Sequence, residues 1–324
     1  MEGIAAIVKD CLAVDRYKNH ILSLLSGCSL REILSKVRAH YDGLPSEADM
    51  HAEFNKRTDK GLFGKIIEYG FFGQKPNSKS THDLACGVEI KACAFKVLRN
   101  GNVNAKERQT LGNCGNKNDY STFSNIIKTP DFSKSSVFQK CKRFLLFIRE
   151  GNPGKNLSFE ILMNAKILFI IDVDLPHLPP EVKTILDDDY KIIRERIANQ
   201  SVTQQSLQYL HTCSHGSGHG STNMALAFTP KFITILTALN LAKLWNRPYE
   251  GMLVQKGASI SLNRADFLVK TEATEITAPR RFKRKCPPPE KPEESEESEE
   301  SEETEETELQ TPRRFKRKRT EELL

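Results

Sequence analysis

Two carboxylates and a lysine lie in a stretch of sequence that otherwise has the character of a buried strand. The segment SKSTHDLACGVEIKACAFK contains Asp83, Glu89 and Lys91 among small and apolar residues. Because side chains alternate across a strand, Glu89 and Lys91 should project from one face and Val88 and Ile90 from the other. A turn after the polar residues upstream would bring Asp83 alongside this pair.

These side-chain types fit the hydrolysis of a phosphodiester. Carboxylates about 2.1 Å from Mg²⁺ form an oxygen-rich site that leaves several waters on the ion. A neighbouring lysine can orient or deprotonate one of those waters, while the ion stabilises charge on the phosphate and on the leaving oxygen. The competing interpretation is a solvated strand face on which Glu89 and Lys91 form an ion pair, since a pattern this short often arises by chance.

The surrounding periodicity predicts a mixed α/β domain with its strands clustered centrally. Alternating and short apolar runs indicate strands at 87–97, 143–148 and 166–174. Helical spacing is found at 15–38 in two pieces, at 60–72 and at 180–199. Ser29 and Glu32 have the spacing of a capping box at the start of the second piece. The apolar run 232–245 is predicted to be a strand that continues into a helix.

The composition indicates an intracellular protein that binds a polyanion. The 324 residues contain no apolar run near the roughly 18 residues of a membrane span. The eight cysteines form no C-x-x-C pair, which is typical of reduced thiols. Residues 1–278 carry 36 Lys and Arg against 28 Asp and Glu, so the body of the chain is basic and suits DNA.

The C-terminal segment has a different composition from the rest of the chain. The heptapeptide PRRFKRK occurs at 279–285 and again at 312–318, on either side of a Pro-rich and Glu-Ser-rich spacer. Such a spacer cannot bury a core, so we expect a folded domain over 1–270 and a disordered low-complexity tail over 271–324. The two basic copies are typical of nuclear-import signals or nucleic-acid-binding arms, which predicts a nuclear protein of a eukaryote or of a virus that infects one.

A longer motif around the carboxylates resembles a known family. The stretch DKGLFGKIIEYGFFGQKPNSKSTHDLACGVEIKA at 59–92 is similar to the signature of the MutH mismatch-repair nicking endonuclease and its GATC-cutting restriction relatives. Shorter similar blocks lie at 26–33, 140–148, 209–210 and 227–231. The resemblance implies the restriction-endonuclease-like fold, in which helices cover both faces of a mixed central sheet. It also implies Mg²⁺-dependent cleavage of double-stranded DNA, with mismatch-repair proteins as candidate partners.

The resemblance assigns roles to the matching positions. Asp83 and Glu89 would bind the metal together with the carbonyl of Ile90. Lys91 would be the catalytic lysine, and Glu68 would face the same site from the preceding helix. DNA contacts are expected from Lys79, Lys140, Lys142, Arg143 and Lys231, and separately from His211 and His215, which belong to a loop that departs from the family pattern. For the lysines and the arginine, the competing interpretation is a solvated loop or helix end.

The segment after Tyr209 departs from the family pattern. The mismatch-repair enzyme has an Arg-Pro here that helps to read GATC, whereas this chain has Cys213 and Ser214. We therefore expect a recognition sequence other than strict GATC. The side chains of His211, Cys213, His215 and His219 are zinc-ligand types, but their spacing is unlike that of a zinc finger, which favours a loop along a DNA groove.

Three functions compete at this point. The first is a DNA endonuclease, the second a catalytically inactive DNA-binding protein of the same fold, and the third an interaction protein that recruits partners through its acidic tail. The intact set of Asp83, Glu89 and Lys91 favours the first. The sequence leaves open whether the enzyme nicks one strand or cuts both, since a double-strand break requires a dimer on DNA or successive nicks by a monomer.

Overall fold

The computed structural model describes residues 1–25, 27–55, 61–75, 82–151, 157–215, 221–257 and 259–263. The predicted tail at 271–324 and the predicted domain boundary near residue 270 lie outside these ranges, as does Lys79. No helix in the described ranges is long and apolar enough to cross a membrane.

Helices and short strands follow one another along the described chain. The helices are α1 (Ile4–Ile7), α2 (Cys11–Ser23), α3 (Leu30–Arg38), α4 (Glu47–Phe54), α5 (Leu62–Phe72), α6 (Ser124–Lys128), α7 (Ser136–Cys141), α8 (Phe159–Met163), α9 (Pro180–Ala198) and α10 (Pro230–Trp245). The strands are β1 (Glu89–Val97), β2 (Val103–Ala105), β3 (Gln109–Asn116), β4 (Arg143–Glu150), β5 (Ile167–Asp174), β6 (Gln205–Ser206), β7 (Leu210–Ser214), β8 (Asn223–Phe228), β9 (Leu253–Lys256) and β10 (Ser259–Leu262).

A six-stranded mixed sheet forms the centre of the fold, in the order β5-β4-β1-β2-β10-β9. β1 and β4 run parallel, and the other neighbouring pairs are antiparallel. In β4, Phe144, Leu146 and Ile148 face one core while Leu145 and Phe147 face the other. Burial on both faces explains why this strand reads as a continuous apolar run. The predicted mixed central sheet is confirmed.

Helices cover both faces of this sheet, as predicted. One core contains buried side chains of α1 to α5 and α8, and Phe71 of α5 packs against Phe147 of β4 with ring centroids 5.2 Å apart. The other core contains side chains of α6, α7, α9 and α10. The sheet is therefore the middle layer of the molecule, and β1 is held in place from both sides.

A second, antiparallel sheet in the order β3-β8-β7-β6 packs against the second core and was not predicted as a separate sheet. One of its faces is apolar, since Leu210, Met224 and Phe228 are fully or almost fully buried there. The opposite face bears short side chains, including the buried Cys213 and Ala225. The apolar face fixes this sheet to the domain and leaves the other face available to line a cleft.

Local sequence signals account for several helix boundaries. The predicted capping box at the start of α3 is present, with the Ser29 amide donating to Glu32 Oε2 at 2.7 Å. α2 begins at Cys11, four residues before the predicted start, because Asp10 caps it by accepting from the Leu12 amide. α5 ends where Gly73 adopts a left-handed conformation, with φ of +66°.

The prediction of a strand at the start of 232–245 is wrong, because this run is helical throughout. Thr229 accepts a hydrogen bond from the Phe232 amide, and Pro230 occupies the first turn, so strong start signals precede the run. The helix is buried on most sides, and its apolar residues therefore lack the period that distinguishes a surface helix from a strand.

Candidate active site

The carboxylates and the lysine lie at one edge of β1 that faces a cleft. β4 pairs with β1 from Glu89 onward, whereas β2 pairs with the other edge only from Phe95. The cleft has a volume of about 740 Å³ and is lined by every residue from Ile90 to Ala94. Glu68 of α5 and Lys140 of α7 line the same cleft. The helices on the two faces of the sheet thus each contribute a side chain at this edge.

A tight turn brings Asp83 beside β1. The Leu84 amide donates to the Val88 carbonyl at 3.0 Å, and Gly87 has a φ of +85°, a conformation that favours glycine. Asp83 Oδ2 then accepts a hydrogen bond from the Ile90 amide at 2.8 Å. The predicted turn is therefore present, and it joins Asp83 to the strand through the backbone of Ile90.

Glu89 and Lys91 form a contact inside the protein. Lys91 Nζ lies 2.8 Å from Glu89 Oε1, and Lys140 Nζ lies 3.5 Å from the same oxygen. Glu89 is only 2% exposed, so the competing interpretation of a solvated strand face does not apply to this pair. The other carboxylate oxygen of Glu89, Oε2, is buried and has no hydrogen-bond partner among the described residues.

Burial and nearby carboxylates raise the pKa values of Glu68 and Asp83. Burial, followed by the charge of Asp83, raises the pKa of Glu68 to about 7. Burial and the charge of Glu89 likewise raise the pKa of Asp83, against the hydrogen bond from Ile90. Burial acts to lower the pKa of Lys91, but its interactions with neighbours that include Glu89 raise it by more. Negative charge is therefore concentrated at this edge.

The donors present fit a hard divalent cation held by few protein ligands. Asp83 and Glu89 offer carboxylate oxygens, and Glu89 Oε2 is a buried acceptor with no donor in the described chain. A cation there would neutralise the repulsion among the carboxylates. The described residues contain no cluster of three or more His, Cys, Asp or Glu side chains that would hold a metal.

The predicted basic cluster divides between two surroundings. Lys140 faces Glu89, and Lys142 is exposed at the end of α7. Arg143 instead forms ion pairs with Asp15 of α2 at 2.6 Å and with Asp172 of β5 at 2.8 Å. These partners give Arg143 a role in joining α2 to the sheet. The sequence had suggested either a DNA contact or a solvated helix end, and this role is neither of them.

Asp172 and its neighbour Asp174 both have side-chain partners. Lys18 Nζ lies 2.8 Å from Asp172 Oδ2, and Asp174 pairs with His177 at 2.8 Å. Both aspartates therefore have structural partners at the end of β5.

Of the predicted contacts at 211–231, His211 lies on β7 of the second sheet, His215 directly follows that strand, and Lys231 lies in the first turn of α10. His211 Nδ1 is 2.6 Å from Ser206 Oγ, and burial, followed by the charge of Arg108, lowers the pKa of His211. His215 lines the cleft and, together with His211, a pocket that adjoins it, whereas Lys231 lies with its Nζ 6.0 Å from the Tyr209 ring centroid. The second sheet thus forms the wall of the cleft opposite α5.

The alternative of a zinc site has Cys213 and His219 among its candidate ligands, and the structure describes only the first of these two. Cys213 is 1% exposed, and its Sγ donates to the Ala225 carbonyl at 3.7 Å. His219 lies outside the described residues. The thiol of Cys213 therefore contacts the backbone of the neighbouring strand β8.

Sequence reasoning missed four cationic side chains that line the cleft or the pocket adjoining it, namely Lys65, Lys106, Arg108 and Arg149. The first three carried no distinguishing signal, since each lies in an ordinary polar context. Arg149 had one, because it is a charged residue within an apolar strand, FLLFIRE, and a buried charge requires a partner or a function.

Comparison with known proteins bears on this region. Residues 72–189 match the family model described as the DNA mismatch repair enzyme MutH. The chain is also similar to the type II restriction enzyme Sau3AI of Staphylococcus aureus, with 30% identity over 172 residues. That alignment covers 51% of this chain but only 32% of the relative, so the chain spans about a third of the length of the curated relative it matches. The family match contains Asp83, Glu89 and Lys91, whereas Glu68 lies just before it.

Proposed function

We propose that this protein is a Mg²⁺-dependent DNA endonuclease. The premise is that residues 72–189 match the MutH family model and that the chain resembles a restriction enzyme. The observation that carries the proposal is the grouping of Asp83, Glu89 and Lys91 at the cleft edge, where one oxygen of Glu89 has no partner among the described residues. A grouping of this kind is what metal-assisted phosphodiester hydrolysis requires.

Each residue of the group has a role in the proposed reaction. Asp83, Glu89 and the Ile90 carbonyl would hold the ion. When bound, Mg²⁺ supplies charge stabilisation to the phosphate and to the leaving oxygen. Lys91 is within hydrogen-bond distance of Glu89, and we infer that it orients or deprotonates the attacking water. Glu68 borders the same space from α5. In-line attack at phosphorus would leave 5′-phosphate and 3′-hydroxyl ends, as the family resemblance implies.

The proposed substrate is double-stranded DNA with a recognition sequence other than strict GATC. His211, Ser214 and His215 line a pocket that adjoins the cleft, and Cys213 occupies the position where the family has an arginine. Side chains of these types can donate to and accept from base edges. Mismatch-repair partners, cleavage by a monomer or a dimer, and a nuclear location are further elements of the proposal that rest on the sequence alone.

One observation favours the second candidate, a DNA-binding protein without catalysis. Glu89 Oε1 is contacted by two ammonium groups, those of Lys91 and Lys140, which partly neutralise the carboxylate without a metal. In such a protein the cleft would still bind DNA, but Mg²⁺ would change nothing.

Cleavage of a mixed-sequence plasmid with and without Mg²⁺ separates the two candidates. We expect cleavage only with the ion, and its loss in Asp83→Asn and Glu89→Gln, because each change removes a ligand charge at nearly constant volume. DNA binding should persist in both variants. Glu195→Gln is the matched control, since Glu195 is exposed on α9 outside the cleft. Equal cleavage by the wild type and both site variants would refute the assignment, and sequencing of the ends would test the GATC expectation.

A further inference from the structure

A buried arginine borders the cleft near the catalytic edge. Arg149 is 4% exposed on β4, opposite Ala94 of β1 in the strand register. Its Nη1 donates to the Glu150 carbonyl at 2.8 Å, whereas its Nε is buried with no hydrogen-bond partner among the described residues. A buried charge with an open donor is costly unless a partner completes it.

The side chain of Arg149 reaches the first turn of α5. Its Cζ lies 5.2 Å from the centroid of the Phe63 ring, and Phe63, Gly64 and the N-cap residue Gly61 line the same cleft as Arg149. α5 has 11 residues, and a glycine at its N-cap supplies no side-chain acceptor to the first N–H groups. The N-terminal end of a helix attracts anions through those groups and through the helix dipole.

The wall between Arg149 and α5 is built from small residues. Ala92 and Ala94 line the cleft, and a Cβ added to Gly64 would lie 3.9 Å from the Cβ of Ala92. Burial lowers the pKa of the Arg149 guanidinium, and the charge of the exposed Glu107, which lines the same cleft, acts against this lowering. The space beside Arg149 is open to the cleft, so an anion in the cleft can reach the buried guanidinium.

We propose that Arg149 and the first turn of α5 form a second anion-binding subsite, whose ligand is a phosphate of the DNA backbone other than the one that is cleaved. The inference rests on the proposed function in one respect, namely that the cleft holds DNA. Phe63 precedes Glu68 by five residues, or about 7 Å along the helix. Since each nucleotide rises about 3.4 Å along its strand, the phosphate in the subsite lies within about three nucleotides of the cut.

The first test measures the affinity for a duplex of random sequence at several salt concentrations, with Ca²⁺ replacing Mg²⁺ to prevent cleavage. Arg149→Met keeps an apolar stem against Phe63 but removes the charge, so the slope of log K against log salt should decrease by about one. Arg149→Lys should restore most of the slope. Arg16→Met is the control, because Arg16 is exposed on α2 and pairs with Glu2.

The second test identifies the phosphate. Single uncharged methylphosphonates are placed at successive positions around a mapped cut, and binding is measured for the wild type and for Arg149→Met. At one position near the cut, the substitution should weaken wild-type binding about tenfold, the low end for a hydrogen bond to a charged group. The same substitution should have no further effect on the variant.

The outcomes separate this inference from the proposed function. A wild type that binds and cleaves DNA, with an unchanged salt slope in Arg149→Met, overturns the subsite alone. If Arg149→Met fails to fold, as judged by thermal unfolding, the wild-type methylphosphonate scan decides: sensitivity confined to the scissile phosphate overturns the subsite. Wild-type protein that binds no DNA overturns both proposals.

Discussion

The two oxygens of Glu89 have different surroundings, and the difference separates the roles of the lysines. Oε1 contacts Lys91 at 2.8 Å and Lys140 at 3.5 Å, whereas Oε2 is buried without a partner in the described part of the chain. Lys140 can therefore keep a positive charge beside the carboxylate when Lys91 is replaced. This makes substitution of Lys91 a test of chemistry that leaves the local charge balance partly intact.

We expect Lys91→Met to slow cleavage by about 100-fold or more, the usual effect of losing a positioned proton-transfer group. Methionine has a stem of similar length, so DNA affinity should change little. The measurement is single-turnover cleavage together with a binding isotherm. Lys134→Met is the matched control, because Lys134 is an exposed lysine that pairs with Asp131 on the surface. Cleavage by Lys91→Met at the wild-type rate would exclude a chemical role for Lys91.

At the residue scale, the contact between Glu89 and Lys91 could be predicted from the sequence, whereas the contact between Arg149 and Phe63 could not. Glu89 and Lys91 are two residues apart on one strand, so their contact follows from the pleat. Arg149 and Phe63 are far apart in the sequence and meet only because α5 packs beside β1 and β4. A single sequence contains no local signal for a contact of that kind.

At the scale of elements, four charged side chains connect α2 to the central sheet. Arg143 of β4 contacts Asp15 and Asp172, and Lys18 contacts the same two carboxylates. The side chains are partly buried, with Asp172 at 20% and Arg143 at 25% exposure. Removing one member leaves carboxylates without their strongest donor, which is the costly kind of change.

We expect Arg143→Met to lower the free energy of unfolding by about 2–3 kcal/mol, less than the loss for a fully buried pair. Urea unfolding at neutral pH measures this, and an unchanged m-value would show that the variant differs in stability alone. Arg16→Met on the surface of α2 is the control. If instead the variant is as stable as the wild type and binds DNA more weakly, Arg143 has the DNA-contact role predicted from the sequence.

The same network gives the stability a pH dependence. Burial acts to raise the pKa of Asp172, but the hydrogen bonds from Arg143 and Lys18 outweigh burial and hold the pKa below its usual range. The stability that this group contributes is therefore complete above the unfolded-state pKa of about 3.9 and is lost as pH falls through the lower folded-state value. This acid-induced loss should be smaller in Arg143→Met, because the carboxylate then lacks its main partner.

Helices and strands were predicted correctly from the sequence where the spacing or length of the apolar runs was distinctive. The strands at 143–148 and 166–174 have the length and apolar character of central strands; β4 contains the first, and β5 matches the second except that it begins one residue later. The start of α10 was wrong because a helix buried on most sides has no polar face to reveal its period. The second sheet was missed as a unit because its strands are short and β3 is far in sequence from β8, with which it pairs.

At the scale of the whole molecule, we expect residues 1–270 to be sufficient for the activity. The composition of 271–324 cannot build a core, so its removal should leave a soluble protein that cleaves DNA at least as fast as the full chain. In a eukaryotic cell, the shortened chain should lose nuclear accumulation, because both basic copies are removed. Plasmid cleavage and fluorescence microscopy of tagged chains measure the two effects.

Insolubility of the 1–270 chain would show that the predicted boundary near residue 270 is misplaced. Nuclear accumulation of that chain would exclude an import role for both basic copies. Substituting the basic residues of only one copy in the full chain is the control that distinguishes one signal from two.

The late start of β2 pairing along β1 has a consequence for self-association. A strand with an uncovered edge can add a strand from another molecule and so begin an aggregate, and charged side chains on such an edge oppose this. Between Glu89 and Phe95, β1 has β4 on one side and the cleft on the other, and the charges there belong to Glu89 and Lys91. Lys91, which lines the cleft, thus places a charge beside the uncovered edge, and we expect substitutions that remove this charge to favour pairing with another molecule.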